Sequence, residues 1–393
     1  MAKAKAVVKP STAQPPTGKK NVGRLTTPLS ALGLVLSVLG VVIAALAVYL
    51  GRNPTLVTSV WAKRGGGKTL EAFGRATAAE NDASLPKGAN PEGKPHEVKL
   101  GDCKDRHAQC VGFAKNDECV KNPGWMIVNC PRSCNACHLL DPKVRCDRRN
   151  LNMSIDPIYK PGDMLDMFQS IEANFGERYK VTVVSTDPYI VTFDDFLTDT
   201  EIDALITTVD GGWERSTDTG SANEFGEVGR VLSQGRTSSN AWCRAPCESN
   251  PYVQNILKKI GEVTRVPREN YESFQVLRYE IGQAYNPHHD ASASQVQLAC
   301  GPRILTFFLY LSDVEEGGET GFPQFGIKIK PKKGSALLWP STLNDNPEHI
   351  DGRTLHQAHP VVRGTKFAAN TWIHLYNFET PNLYGCTGTF SEL

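Results

Sequence analysis

Arg303-Ile304-Leu305-Thr306-Phe307-Phe308-Leu309-Tyr310-Leu311 runs through aliphatic, aromatic and β-branched residues. Ser312-Asp313-Val314-Glu315-Glu316-Gly317-Gly318-Glu319-Thr320 then closes it with acids and two glycines. Side chains of the first kind suit a pleated strand, and acids with glycine suit the turn that ends one. The same texture recurs at Tyr189 to Phe193, Phe274 to Tyr279, Gly326 to Ile329, Ala336 to Trp339 and Lys366 to Tyr376, with Gly, Pro, Asn and Asp between. Short strands so spaced predict an antiparallel β barrel or sandwich over residues 180–380. Two flanking helices are expected. One is capped by Thr198 or Asp199 and continues from Glu201 to Val209; the other runs from Pro251 to Thr264. About 200 residues is ample for one core.

Chemistry enters at Tyr285-Asn286-Pro287-His288-His289-Asp290. In an extended segment residues i and i+2 point to one side. His288 and Asp290 can therefore reach one metal ion while His289 points away. Alone, a His-x-Asp pair is a weak signal. A third ligand is available in Leu355-His356-Gln357-Ala358-His359-Pro360-Val361, at His356. Two histidines and one carboxylate leave three coordination positions open, the arrangement used by non-haem Fe(II) oxygenases. Gly364-Thr365-Lys366-Phe367 follows, and a cation near the metal can hold the far carboxylate of a keto-diacid. Arg353 and Arg363 compete with Lys366 for that role on spacing alone. His289, His349 and His359 lie off the pattern and read as surface or supporting residues.

Across all 393 residues, 43 Lys+Arg balance 42 Asp+Glu, so nothing in the overall charge points to nucleic acid. The hydrophobic share of 40% is ordinary globular usage, which excludes wholesale disorder and a polytopic membrane protein. The N-terminus departs from this. Residues 1–28 carry Lys3, Lys5, Lys9, Lys19, Lys20 and Arg24 without an acid and read as a disordered basic tail. Residues 29–50, LSALGLVLSVLGVVIAALAVYL, are uncharged. At about 1.5 Å per residue they could span a hydrocarbon core of about 30 Å. The cations before them favour a cytoplasmic N-terminus. Ala45-Leu46-Ala47 looks like a cleavage site, but the long apolar stretch and long tail favour a retained signal anchor. The expected topology is single-pass type II in the endoplasmic reticulum or Golgi membrane, with the rest of the chain luminal. Residues 51–100 read as a flexible stem. The Gly65 to Thr69 string GGGKT resembles the end of a phosphate loop, but Ala62 stands at the offset of its first glycine.

Six of the 11 cysteines, 103, 110, 119, 130, 134 and 137, lie in residues 101–138. So short a unit needs covalent staples, and beyond a membrane span these favour disulfides over zinc. Spacing alone leaves 15 connectivities open. Cys103-Lys104-Asp105, Asn122-Pro123, Met126 and the closing Ser133-Cys134-Asn135-Ala136-Cys137 resemble the ShKT domain. The resemblance implies Cys103–Cys137, Cys110–Cys130 and Cys119–Cys134. The Lys-Tyr pair of the toxins is not matched; Gly124-Trp125 stands there. An appended interaction or spacer role is the expectation for this module. Cys243 and Cys247 are expected to form a local disulfide on the substrate side. Cys146, Cys300 and Cys386 remain, an odd number with no pairing assigned, so at least one is free or pairs between chains. Asn152-Met153-Ser154 is a glycosylation sequon.

Taken together, Y-x-x-H-x-D, R-x-x-T-F-F-L-Y-L-x-D-V-x-x-G-G-E-T-x-F-P, P-K-K-G-x-A-L-L-W, L-H-x-x-x-P-V and G-x-K resemble the prolyl 4-hydroxylase family, from Tyr189 to Leu375. That resemblance implies a mainly β catalytic domain with flanking helices, a double-stranded β-helix or jelly roll. It implies Fe(II), 2-oxoglutarate, ascorbate and O2, and hydroxylation of peptidyl proline with release of succinate and CO2. It implies metal ligands His288, Asp290 and His356, and Lys366, Tyr279 and Thr320 on 2-oxoglutarate. Tyr285, Arg303, Trp372 and His374, with Glu272 more weakly, match positions lining a peptide groove. Phe367 departs from the family, which often has Trp there. The expected partner is a proline-rich or collagen-like polypeptide in the secretory pathway. The competing readings are a related oxygenase with another substrate and a non-catalytic binding protein built around the ShKT module.

Overall fold

The computed structural model describes residues 103–387 apart from 210, 211, 224, 226 and 227. The basic tail, the span at 29–50 and the stem lie outside the described residues. Among the described residues, no helix is long and apolar enough to cross a membrane.

Sixteen strands appear among the described residues. In chain order they are β1 (Val181–Thr186), β2 (Tyr189–Phe193), β3 (Glu214–Arg215), β4 (Asp218–Ala222), β5 (Val228–Val231), β6 (Ser239–Trp242), β7 (Gln275–Tyr279) and β8 (Tyr285–His288). There follow β9 (Arg303–Tyr310), β10 (Glu316–Gly317), β11 (Thr320–Phe322), β12 (Ile327–Ile329), β13 (Ala336–Pro340), β14 (His356–Ala358), β15 (Val361–Arg363) and β16 (Lys366–His374). One sheet of eight strands has the order β1-β2-β13-β9-β16-β7-β6-β3, and a second of four has β12-β11-β14-β8. The six strand runs read from the sequence all form strands, within two residues at either end.

Period-two alternation separates two cores. On β9, Leu305, Phe307 and Leu309 point to one face of the large sheet. Phe308 and Tyr310 point to the other. The same split holds on β13, where Ala336 and Leu338 face one way and Leu337 and Trp339 the other. Successive side chains of a strand project to opposite faces, so one hydrophobic run supplies both cores. The first core is closed by helices. Val253, Ile256, Leu257, Ile260 and Val263 of the helix Pro251–Thr264 are buried there at i, i+3, i+4 spacing. The second core fills the space between the two sheets, with Phe322 and Val361 contributed from the smaller strands.

The helix at Asp199–Thr208 begins on the capping box expected of Thr198. Its hydroxyl accepts from the Glu201 N–H, and the Glu201 carboxylate accepts from the Thr198 N–H. That carboxylate is buried and also meets Lys259 Nζ at 2.7 Å, tying this helix to the one at Pro251–Thr264. A 17-residue helix, Asp163–Tyr179, lies before the start at residue 180 read from the sequence. Its Met164, Met167, Phe168 and Ile171 pack into the first core, so the folded domain begins earlier than the strand pattern indicates.

The cysteine module holds the three disulfides implied by the ShKT resemblance. Cys146 pairs with Cys386, and Cys243 with Cys247; Cys300 is free and buried. The Cys243–Cys247 bridge is not on the substrate side as expected. It lies in the first core, because Cys243, just past β6, and Cys247 are both buried there. The module also packs against the rest of the described chain. A Cβ on Gly124 would meet Gly385 N and Leu383 O, each at 2.9 Å, so the module packs backbone to backbone against the C-terminal segment. The Cys146–Cys386 bridge fastens the same junction, with Leu151 and Ala299 packed around it.

Candidate active site

Strands β8 and β14 pair with His288 opposite His356. Asp290 follows two residues after His288, and one ligand atom from each of the three residues lies within 4.8 Å of the others. Each imidazole is fixed by its own backbone. His288 Nδ1 lies 2.8 Å from Asn286 O, and His356 Nδ1 lies 3.1 Å from Thr354 O. A carbonyl can only accept, so Nδ1 carries the proton and Nε2 presents its lone pair. Those Nε2 atoms face Asp290, at 3.9 Å from Oδ1 for His288 and 3.4 Å from Oδ2 for His356. Burial, and then the neighbouring His356, push the His288 pKa below its ordinary value, which keeps the ring available as a donor. Burial alone would raise the Asp290 carboxyl. The two imidazoles, the Thr306 hydroxyl at 2.6 Å and Arg303 outweigh it and hold the group below its ordinary value. Two imidazoles and one carboxylate converging from one side fit a divalent metal with its other side open.

That open side faces a cavity between the sheets. Tyr279, Thr320, Tyr285 and Trp372 line it. Lys366 is fully buried on β16 opposite Tyr279 of β7. Its Nζ donates to Gly318 O at 2.8 Å and lies 5.3 to 5.6 Å from the ring centroids of Tyr279, Phe308 and Tyr310. Burial pushes its pKa down to about 7, against a pull upward from Glu319. The competing cations are engaged elsewhere: Arg353 with Asp351 and Asp187, and Arg363 with Glu315. Gly317 permits this corner. Its φ is +78°, and a Cβ there would meet Pro360 O at 2.3 Å.

Glu272, Arg303 and His374 do not line the cavity; they stand behind its wall. Arg303 stacks its guanidinium 3.7 Å from the Trp372 ring centroid and donates through Nη2 to Glu272 at 3.0 Å. His374 Nε2 meets the same carboxylate at 2.8 Å. Burial would raise the Glu272 carboxyl, but Arg303 and His374 hold it at about 2. Burial would likewise lower His374, but Cys300 and Glu272 lift it to about 10. A buried carboxylate needs cations around it, and Arg303 and His374 supply them here.

Three contributors were not read from the sequence. Thr306 bonds Asp290. Asn370 Oδ1 and Trp339 Nε1 are buried at the cavity without a hydrogen-bond partner among the described residues. Strand parity was the available signal, since Asn370 shares a face of β16 with Lys366 and Trp372.

Comparison with known proteins agrees with this geometry. The model of the 2OG-Fe(II) oxygenase superfamily matches residues 274–374, and that of the ShK domain-like family matches residues 102–137. Probable prolyl 4-hydroxylase 7 of Arabidopsis thaliana is 35% identical over 240 residues, which cover 56% of this chain and 73% of that protein. Prolyl 4-hydroxylase 2 of the same plant is 37% identical over 222 residues, covering 51% and 72%. Among solved structures, the viral collagen prolyl hydroxylase of Paramecium Bursaria Chlorella virus-1, in its 2OG complex, is 29% identical. The match covers 49% of this chain and 98% of that one, with a TM-score of 0.38.

Two outcomes are expected. Thr306→Val frees the Asp290 carboxylate and should weaken Co(II) or Mn(II) binding about 10- to 100-fold, read by metal titration, with Thr306→Ser close to wild type. An unchanged affinity would remove Thr306 from the site. A carboxylate bound at Lys366 raises its pKa from about 7. Affinity for 2-oxoglutarate is then full below that value and falls as pH rises through the pKa of the complex. Lys366→Arg should flatten the profile, because arginine keeps its charge. A wild-type affinity independent of pH between 6 and 9 would contradict this.

Proposed function

Starting from a chain that belongs to the prolyl 4-hydroxylase family of 2OG-Fe(II) oxygenases, we propose that it hydroxylates proline in polypeptides to 4-hydroxyproline, consuming 2-oxoglutarate and O2 and releasing succinate and CO2. The observation that carries the proposal is the convergence of His288, Asp290 and His356 on one side of a cavity, with the buried Lys366 behind the Tyr279 and Phe308 rings of its lining.

The roles follow from position. His288 and His356 bind Fe(II) through Nε2, and Asp290 binds through its carboxylate. When bound, the iron couples decarboxylation of 2-oxoglutarate to oxidation of the proline C–H bond. Lys366 holds the far carboxylate of 2-oxoglutarate, deep in a wall built from Tyr279, Phe308 and Tyr310. There the low dielectric strengthens the ion pair, and the surrounding rings keep water out. Thr320 accepts from the Tyr310 hydroxyl at 2.8 Å, which fixes its oxygen on the same path. Tyr285 stacks on His288 with ring centroids 3.6 Å apart and lines the cavity, where it would meet the peptide. Arg303 supports Trp372 from behind, Glu272 holds Arg303, and His374 holds Glu272.

The polypeptide substrate is proline-rich or collagen-like, ascorbate restores the iron after uncoupled turnover, and the enzyme is a single-pass type II protein of the endoplasmic reticulum or Golgi membrane with its catalytic domain luminal. The five disulfides support an oxidising compartment. Asn152 is exposed and suits glycosylation there. An endoglycosidase-sensitive gel shift, lost in Asn152→Gln, is the expected sign of luminal placement; a single unshifted band from native membranes would count against it.

The purified protein should be given Fe(II), 2-oxoglutarate, ascorbate and a panel of proline-rich peptides. Mass spectrometry should find one oxygen added at proline, and His356→Ala should abolish it. Succinate release without oxidised proline would move the substrate to another class.

A further inference from the structure

The ribbon formed by β4 and β5 pairs Asp218 with Val231 and Thr219 with Arg230. A two-stranded ribbon is at best marginally stable in water, so its position depends on what holds its ends. One end is fastened to the wall of the iron site. Tyr285 donates its hydroxyl to Asp218 Oδ1 at 3.2 Å, and Arg236 Nη1 donates to Thr217 O at 3.3 Å. Tyr285 and Arg236 both line the cavity, and the Arg236 guanidinium stands 4.8 Å over the Tyr285 ring.

The other end is fastened to the disulfide module. Phe225, between the two strands, receives the Arg106 guanidinium 5.0 Å from its ring centroid. Its carbonyl accepts from Arg145 Nη2 at 2.6 Å. Neither arginine is loosely placed. Arg106 also donates to Val128 O within the module. Arg145 is buried, and its Nη1 donates to Leu139 O at 3.1 Å, just past the last cysteine of the module. The chain of contacts therefore runs from the module to Phe225, along the ribbon to Asp218, and through Tyr285 to the ring of His288. At the Asp218 end the ribbon also exposes apolar surface: Val231 is 51% and Leu232 72% accessible.

We propose that the disulfide module is part of the substrate mouth, with Arg106 and Arg145 as positioning residues that hold the β4–β5 ribbon where Val231 and Leu232 meet an apolar, proline-containing polypeptide. This rests on the peptidyl-proline reading above. It assigns the module a task at the active site and separates two functions within one cavity. The lysine end binds 2-oxoglutarate independently of the module, whereas the ribbon end binds the polypeptide through it.

The test uses the full chain with Phe225→Ala and Arg106→Gln, neither of which touches the metal or cosubstrate residues. Hydrogen exchange across residues 214–231 is expected to speed up about fivefold in both, with the large sheet unchanged. The KM for a proline-rich peptide is expected to rise about fivefold, with the KM for 2-oxoglutarate and the peptide-free decarboxylation rate unchanged. Arg145→Lys, which keeps a donor for the Phe225 carbonyl, should fall between wild type and Arg145→Ala. Faster ribbon exchange with an unchanged peptide KM overturns the proposal, as does unchanged exchange. A parallel rise in both KM values also overturns it, because the damage is then general. A wild-type protein that consumes 2-oxoglutarate and oxidises no proline peptide defeats the substrate reading itself, and that result is distinct from any difference between variants.

Discussion

The alternation of side chains along β9 and β16, neighbours in the large sheet, is the constraint on which everything else depends. One face of these strands must satisfy the helices, and Leu305, Phe307, Leu309, Ala369 and Ile373 do so. The other face is thereby free to carry Thr306, Phe308, Tyr310, Lys366, Asn370 and Trp372 toward the second sheet. A slip of one residue would exchange the two sets and bring Leu305 or Ala369 to the iron site. The register of each strand, set by burial on the helical face, is therefore also the register of the active site.

Burial does a second kind of work at the site. It makes each charge depend on particular neighbours. Lys366 has its ammonium among three aromatic rings and one carbonyl, a setting in which a carboxylate ligand is worth more than at the surface. Glu272 is buried with Arg303 and His374, and the three act as a rigid backing for Trp372. Asp290 is held ionised by His356 and His288, by the Thr306 hydroxyl and by Arg303 against the burial that would neutralise it. Removing any one partner leaves another buried charge exposed to that cost.

The disulfides add a constraint of a different origin. Three of them let a module too small for its own hydrophobic core hold a shape. The Cys146–Cys386 bridge then fixes that shape to the C-terminal segment, alongside the close approach of Gly124 to Gly385. A rigid module fixed at one side can hold a ribbon at another, which a module on a loose tether could not.

Much of this was legible in the amino-acid sequence, and the reason is local. Strand runs, a capping box at Thr198, ligand strings around His288 and His356, and cysteine spacing are patterns within a few residues, and local physics determines them. The 163–179 helix was legible too, in Met164, Met167, Phe168 and Ile171, but it lay before the strand pattern and went unassigned. What only the tertiary structure decided involves residues far apart in the chain. It buried Lys366 among aromatic rings and drew Arg353 and Arg363 to acids elsewhere. It paired Glu272 with His374 behind the cavity wall, joined Cys146 to Cys386, and set Arg145 against Phe225. Each of these outcomes depends on which groups burial brings together, and burial is a property of the whole packed chain.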